Sequence, residues 1–68
     1  MTSSEFKKRI DSVLKVYPEW RYGQAVFNEM YFLFPERADR FRGTMIDPFY
    51  NNARVDSFIV ACLESWEK

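Results

Sequence analysis

The chain has 68 residues, 47% of them apolar, with seven Phe, four Tyr and two Trp, and its ten Lys and Arg balance ten Asp and Glu. That length holds one domain, residues 1–68, and the aromatic content is too high for a disordered chain. Zero net charge removes any global attraction to nucleic acid or an anionic membrane, one Cys cannot close an intrachain disulfide, and the lack of His takes away ligands of the common zinc fingers.

A core this small leaves a thin stability margin, so aromatic packing or a partner subunit has to replace those staples. The N-terminal Met1-Thr2-Ser3-Ser4-Glu5-Phe6-Lys7-Lys8-Arg9 is not followed by the apolar stretch of a secretory signal. Apolar runs such as Met30 to Phe34 fall far short of the ~20 residues that span a bilayer. A cytoplasmic chain without membrane contact is the expectation.

Thr2 and Glu5 have the spacing of a capping box, which predicts a first helix starting there. Phe6, Ile10, Val13, Leu14 and Tyr17 recur at helical intervals and form its apolar stripe, and Pro18 ends it by forcing residue 17 out of helical dihedrals. Glu19, Trp20, Arg21 and Tyr22 lead into a second helix with Gly23 near its start and a body over Gln24 to Phe34. Ala25 or Val26, Phe27, Met30, Tyr31 and Phe34 make one stripe that Phe32 and Leu33 widen, so this central helix needs cover on several sides. Trp20, just ahead of it, suits a hydrophobic staple.

Pro35 fits the first position of a short third helix, with Glu36 in its first turn, Ala38 and Phe41 on its buried side and Gly43 as a left-handed C-terminal cap. Residues 44–52 carry the turn signals Asp47-Pro48 and Asn51-Asn52 around Met45, Ile46, Phe49 and Tyr50, which predicts an ordered loop anchored by aromatics. A last helix is expected from about Ala53 to Trp66, capped by Asn51 or Asn52, with Val55, Phe58, Ile59, Cys62, Leu63 and Trp66 on one stripe. No alternating run is long enough for a sheet, so the expected fold is an all-α compact bundle of three main helices plus one short helix.

Without His, Ser-His and Cys-His nucleophilic pairs cannot form, and Cys62 on an apolar stripe reads as an inert small hydrophobe. Asp39 and Asp47 are the nearest carboxylates to an acid/base or metal pair, against a solvated Asp39 and an Asx-turn or N-cap at Asp47. Neither a glycine-rich phosphate loop nor an EF-hand spacing occurs. No enzyme and no cofactor are expected.

Charge alternates along the chain: residues 1–18 carry a net +2, 19–36 a net −2, 37–54 a net +2 and 55–68 a net −2. The third segment brings together Arg37, Arg40, Arg42 and Arg54 with Thr44, Tyr50 and Asn51, where guanidinium forks, a stacking ring and an amide suit a phosphate, carboxylate or base. The same arginines also suit surface pairs with Glu36, Asp39, Asp47 and Asp56. Arg21, Gln24 and Asn28 form a second polar strip at the start of the central helix, Gln24 and Asn28 being four apart.

The run Trp20-Arg21-Tyr22-Gly23-Gln24-Ala25-Val26-Phe27-Asn28, then Pro35, Ala38-Asp39, Arg42-Gly43-Thr44 and Asp47-Pro48-Phe49-Tyr50, resembles short uncharacterised phage- and prophage-encoded helical proteins with the pattern W-R-x-G-Q-A-x-F-N … R-G-T-x-x-D-P-F-Y. The resemblance covers residues 18–66 and implies a phage accessory role, such as countering a host defence. It directs attention to Gly23, Gln24, Asn28, Arg42, Gly43, Thr44 and Asp47. The functional expectation is a non-catalytic, self-associating helical protein that occupies a partner protein's surface. The alternative is a sponge or sensor for a nucleotide or other small anion, built on Arg37–Arg54; nucleic-acid binding ranks below both.

Overall fold

A computed structural model describes residues 1–66. Helix α1 spans Ser3–Val16. Both halves of the capping box are formed: the Glu5 N–H donates to the Thr2 hydroxyl at 3.1 Å, and the Thr2 N–H donates to the Glu5 carboxylate at 2.8 Å. Phe6 and Ile10 are buried, and Val13 and Leu14 are half-buried. Tyr17, expected on this stripe, lies beyond the helix in a non-helical conformation (φ −122°, ψ 68°) and stacks on Trp20 with ring centroids 4.2 Å apart. Pro18 imposes that exit.

Helix α2, Tyr22–Leu33, starts two residues ahead of the expected body. It buries Ala25, Val26, Phe27 and Met30 against α1, α3 and the 3-10 turn described below. Its cover is incomplete. Tyr31 is 40% and Phe32 75% exposed, although Phe32 lies on the same side as the fully buried Ala25 two turns earlier. Phe34 closes α2 and opens helix α3, Pro35–Phe41, with Pro35 at its first position. Gly43, at φ 74°, is the left-handed residue that the helix end requires, and the Thr44 N–H returns to the Phe41 carbonyl at 3.1 Å.

The loop over 44–51 folds around Asp47, whose two carboxylate oxygens accept from the Gly43 N–H at 2.6 Å and the Phe49 N–H at 2.9 Å. Asp47 is therefore an Asx-turn residue. The last helical segment departs from the expected uniform helix over Ala53–Trp66. It consists of a 3-10 turn at Asn52–Arg54, helix α4 at Val55–Ile59 and a π-helical stretch at Val60–Glu64. Ser65 donates to the Val60 carbonyl at 2.8 Å, a wide-turn bond, and Trp66 lies beyond the helix. Asn51 is the cap, its side chain accepting from the Ala53 N–H at 2.9 Å.

Phe6, Ile10, Val26, Met30, Phe58, Ile59 and Cys62 are the large buried side chains at which α1, α2 and the last segment meet, with Ala38 added from α3. No buried residue among those described is polar or charged. The Cα radius of gyration is 10.8 Å, close to the ~11 Å of a compact chain of this length. Outside the core, Arg9 of α1 grips Glu29 of α2 through two nitrogens on one carboxylate oxygen, at 2.8 and 2.6 Å, with the Glu29 side chain 11% exposed.

One contact fixes how the loop and the last segment sit on α2. The N-cap residue of α2, Arg21, has no side-chain cap of its own. Instead the Asn52 side chain accepts from the Gly23 N–H at 2.8 Å, satisfying an end group of α2 from 29 residues away. Gly23 is needed for closeness: a Cβ there would stand 2.0 Å from the Pro48 carbonyl oxygen and 2.9 Å from the Asn52 Oδ1. Gly23→Ala is expected to cost about 2–4 kcal/mol, since backbone rather than a yielding side chain must shift. Asn52→Ala is expected to cost about 1 kcal/mol. Urea unfolding followed by circular dichroism measures both, and equal stability of Gly23→Ala and the native chain would refute the contact.

Candidate functional site

Two groups of rings and guanidiniums stand at the surface beside the core, the first of them anchored on the buried Phe27. The first is a row of rings shared by α2 and the loop. Phe27 meets Tyr31 at 6.4 Å and Phe49 at 6.0 Å between centroids, and Phe49 meets Tyr50 edge-on at 4.8 Å. Helical spacing of four sets Tyr31 beside Phe27, and the Asp47 turn delivers Phe49 and Tyr50 to the other side. Tyr50 ends the row 84% exposed.

A guanidinium stands at each end of this row. Arg42, the C-cap of α3, lies 5.3 Å from the Phe27 ring and 5.0 Å from the Tyr31 ring, and pairs with Asp39 at 3.4 Å. Arg21 lies 5.6 Å from the Tyr50 ring and donates to the Phe49 carbonyl at 3.2 Å. Phe27, Asn28, Arg42, Asp47, Phe49 and Tyr50 line a groove of about 310 Å³.

The second group surrounds Trp66. Arg37 lies 4.5 Å from the Phe34 ring and 5.4 Å from the Trp66 ring, and Arg40 lies 5.2 Å from Trp66. Their three-residue spacing sets both on one side of α3. A groove of about 440 Å³ opens between Leu33, Phe34, Pro35, Glu36, Arg37 and Trp66. Arg37 is already engaged, because it donates to the Cys62 carbonyl at 2.9 Å and so caps the end of the last segment.

The ten polar positions singled out in the sequence thus separate. Asn28, Arg42 and Tyr50 share the ring groove, and Arg21 stands at its edge. Arg37 and Arg40 belong to the Trp66 side. Thr44 donates to the Phe41 carbonyl at 2.6 Å and Asn51 caps its own turn, so both serve local backbone. Gln24 is half-buried on α2, Arg54 is exposed in the 3-10 turn, and neither lines either of these two grooves. Sequence reasoning left out Phe27, Tyr31 and Phe49 because their helical and turn positions read as core. The signal available was surplus: α2 carries more large apolar residues than one stripe holds.

The titratable groups fit this picture. Cys62 is fully buried, and burial pushes its thiol up to about 12, only partly opposed by nearby Arg37. Burial also raises Tyr22, while hydrogen bonds from the Thr2 backbone and hydroxyl lower Glu5. Among the described residues, no group of three or more Cys, Asp or Glu side chains is placed to hold a metal ion. No helix among them is long and apolar enough to cross a membrane. Comparison with protein-family models, curated proteins and solved structures finds no match to this chain.

The Cys62 shift has a pH consequence. The unfolded thiol ionises near its ordinary 9.0, whereas the folded thiol stays protonated to about 12, so this contribution is complete below pH 9.0 and is lost as pH rises toward 12. The native chain is expected to lose stability over that window more steeply than Cys62→Ala, as read by urea midpoints at stepped pH. A thiol-reactive dye at neutral pH is expected to label Cys62 only in denaturant; rapid labelling of the folded chain would contradict its burial.

Proposed function

We propose that this chain is a non-catalytic binding protein that acts by occupying another protein through the ring row Tyr31–Phe27–Phe49–Tyr50 and its flanking arginines. The observation that carries this reading is the exposure of Tyr31 and Tyr50 beside two guanidiniums on a rigid helix and a pinned turn. Tyr and Arg are the residues in which binding energy concentrates at protein interfaces, and Tyr loses little conformational freedom on contact. Phe27 and Phe49 hold the two tyrosines from behind, so the face is organised before a partner arrives. The resemblance to phage-encoded proteins makes a host protein the first partner to test, with interference in a host defence as the role.

The chemistry available points the same way. The lone thiol is shut in the core with its ionisation suppressed, and the two carboxylates nearest the groove are committed, Asp47 to two backbone N–H groups and Asp39 to Arg42. The small-anion reading now rests on Asn28, Arg42 and Tyr50 in the ring groove, whose volume of about 310 Å³ is near the lower limit of about 300 Å³ for ligand pockets.

The test is affinity capture from cell lysate with the native chain and with a Tyr31→Ala/Tyr50→Ala double variant. Both side chains are exposed, so the fold is expected to survive, which circular dichroism checks. The variant is expected to lose the captured protein by about tenfold or more. Equal capture would sink the face. A rise in melting temperature with nucleotides, lost in Arg42→Ala, would favour the anion reading instead.

A further inference from the structure

We infer that a second copy of this chain covers the outward side of α2, the two copies meeting across a two-fold axis at Asn28. Gln24, Asn28 and Phe32 follow one another at intervals of four and form one ridge along α2. Ridges of that spacing interlock in the commonest packing of helix on helix. Gln24 and Asn28 are half-buried, and Phe32 is 75% exposed. A surface helix ordinarily turns charged residues to solvent. Glu29 is the one charged residue of α2, and its side chain is 11% exposed in the grip of Arg9, so the ridge carries no charge.

Self-pairing makes demands that an unrelated partner does not, because across a two-fold axis each group meets a copy of its own patch. A charged ridge would meet its own sign there. This one is neutral, and the chain's net charge of zero adds no repulsion between copies. A carboxamide holds both donors and an acceptor, so Asn28 is able to pair with its own copy. Charge also selects the direction. Arg21 is exposed ahead of the ridge, where it donates to a neutral carbonyl, and Glu36 is exposed just beyond the ridge's end. Antiparallel helices bring the Arg21 end of one copy to the Glu36 end of the other, whereas parallel helices would set each charge beside its like. Opposed helix dipoles favour the same direction. Contact along one helix of 12 residues buries less than the roughly 1,200 Å² of stable interfaces, so the dimer forms as concentration rises through the micromolar range. This pairing does not rest on the ring row, whose two tyrosines lie off the ridge.

Sedimentation velocity on the full chain at rising concentration reads the pairing, and circular dichroism checks that each variant folds. The native chain is expected to pass from monomer to dimer, and Phe32→Glu, at an exposed position, to remain monomeric. Asn28→Asp and Asn28→Lys, each alone, are expected to dimerise about tenfold or more weakly. An equal mixture of the two is expected to recover the native strength, since only the mixture sets opposite charges across the axis. A native chain that stays monomeric throughout, a Phe32→Glu variant that dimerises as the native chain does, or a mixture no stronger than its components overturns the inference. A native chain that captures its lysate partner as a monomer sinks the dimer and leaves the ring row standing.

Discussion

The missing side chain of Gly23 is what lets three parts of this chain meet. Because nothing projects there, the Pro48 carbonyl and the Asn52 amide approach the first turn of α2 directly, and the Gly23 N–H is answered from the far end of the loop. The loop is pinned at the other side by Asp47 to Gly43 and by Arg21 to the Phe49 carbonyl. Phe49 and Tyr50 are carried between these anchors, so the geometry of the ring row descends from a single close backbone approach. A loop held at both ends has less freedom to lose on binding than a free one, which suits the proposed contact face.

The same device recurs at the opposite end of the bundle. Arg37 of α3 answers the Cys62 carbonyl, and the Cys62 sulfur lies 3.8 Å from the Arg37 carbonyl, so the two residues hold one another across elements. With no disulfide, and no polar residue buried among those described, the chain ties α2 and the last segment to their neighbours by capping them across elements. Each such bond contributes about 1 kcal/mol. That is modest alone and substantial against the small total stability of a chain this short. The Arg9–Glu29 pair, partly shielded from water, adds a tie between α1 and α2.

The parts legible in the sequence are those decided locally. The capping box of Thr2 and Glu5, Pro35 at the start of α3, the left-handed Gly43 and the Asx-turn at Asp47 all follow from residues within four positions of one another. The all-α class followed from periodicity. What escaped was settled at long range. Asn52 reads as a cap for its own helix, yet its side chain serves Gly23, and Arg37 reads as a ligand-binding cation, yet its guanidinium serves Cys62. The outward turn of Phe32 depends on where neighbouring helices stop, and the π-helical stretch at Val60–Glu64 on how the last turn fits its surroundings, which spacing alone does not encode. For the same reason the arginines of residues 37–54, adjacent in sequence, divide between two surfaces.

Closure of the one thiol inside the bundle also limits how copies of this chain can join. A thiol that neither ionises at physiological pH nor meets solvent is unavailable to a second thiol, so the folded chain does not build covalent dimers under oxidising conditions. Any pairing of copies is held by surface contact, comes apart on dilution, and leaves no band on a non-reducing gel; such a band would report molecules that had first opened.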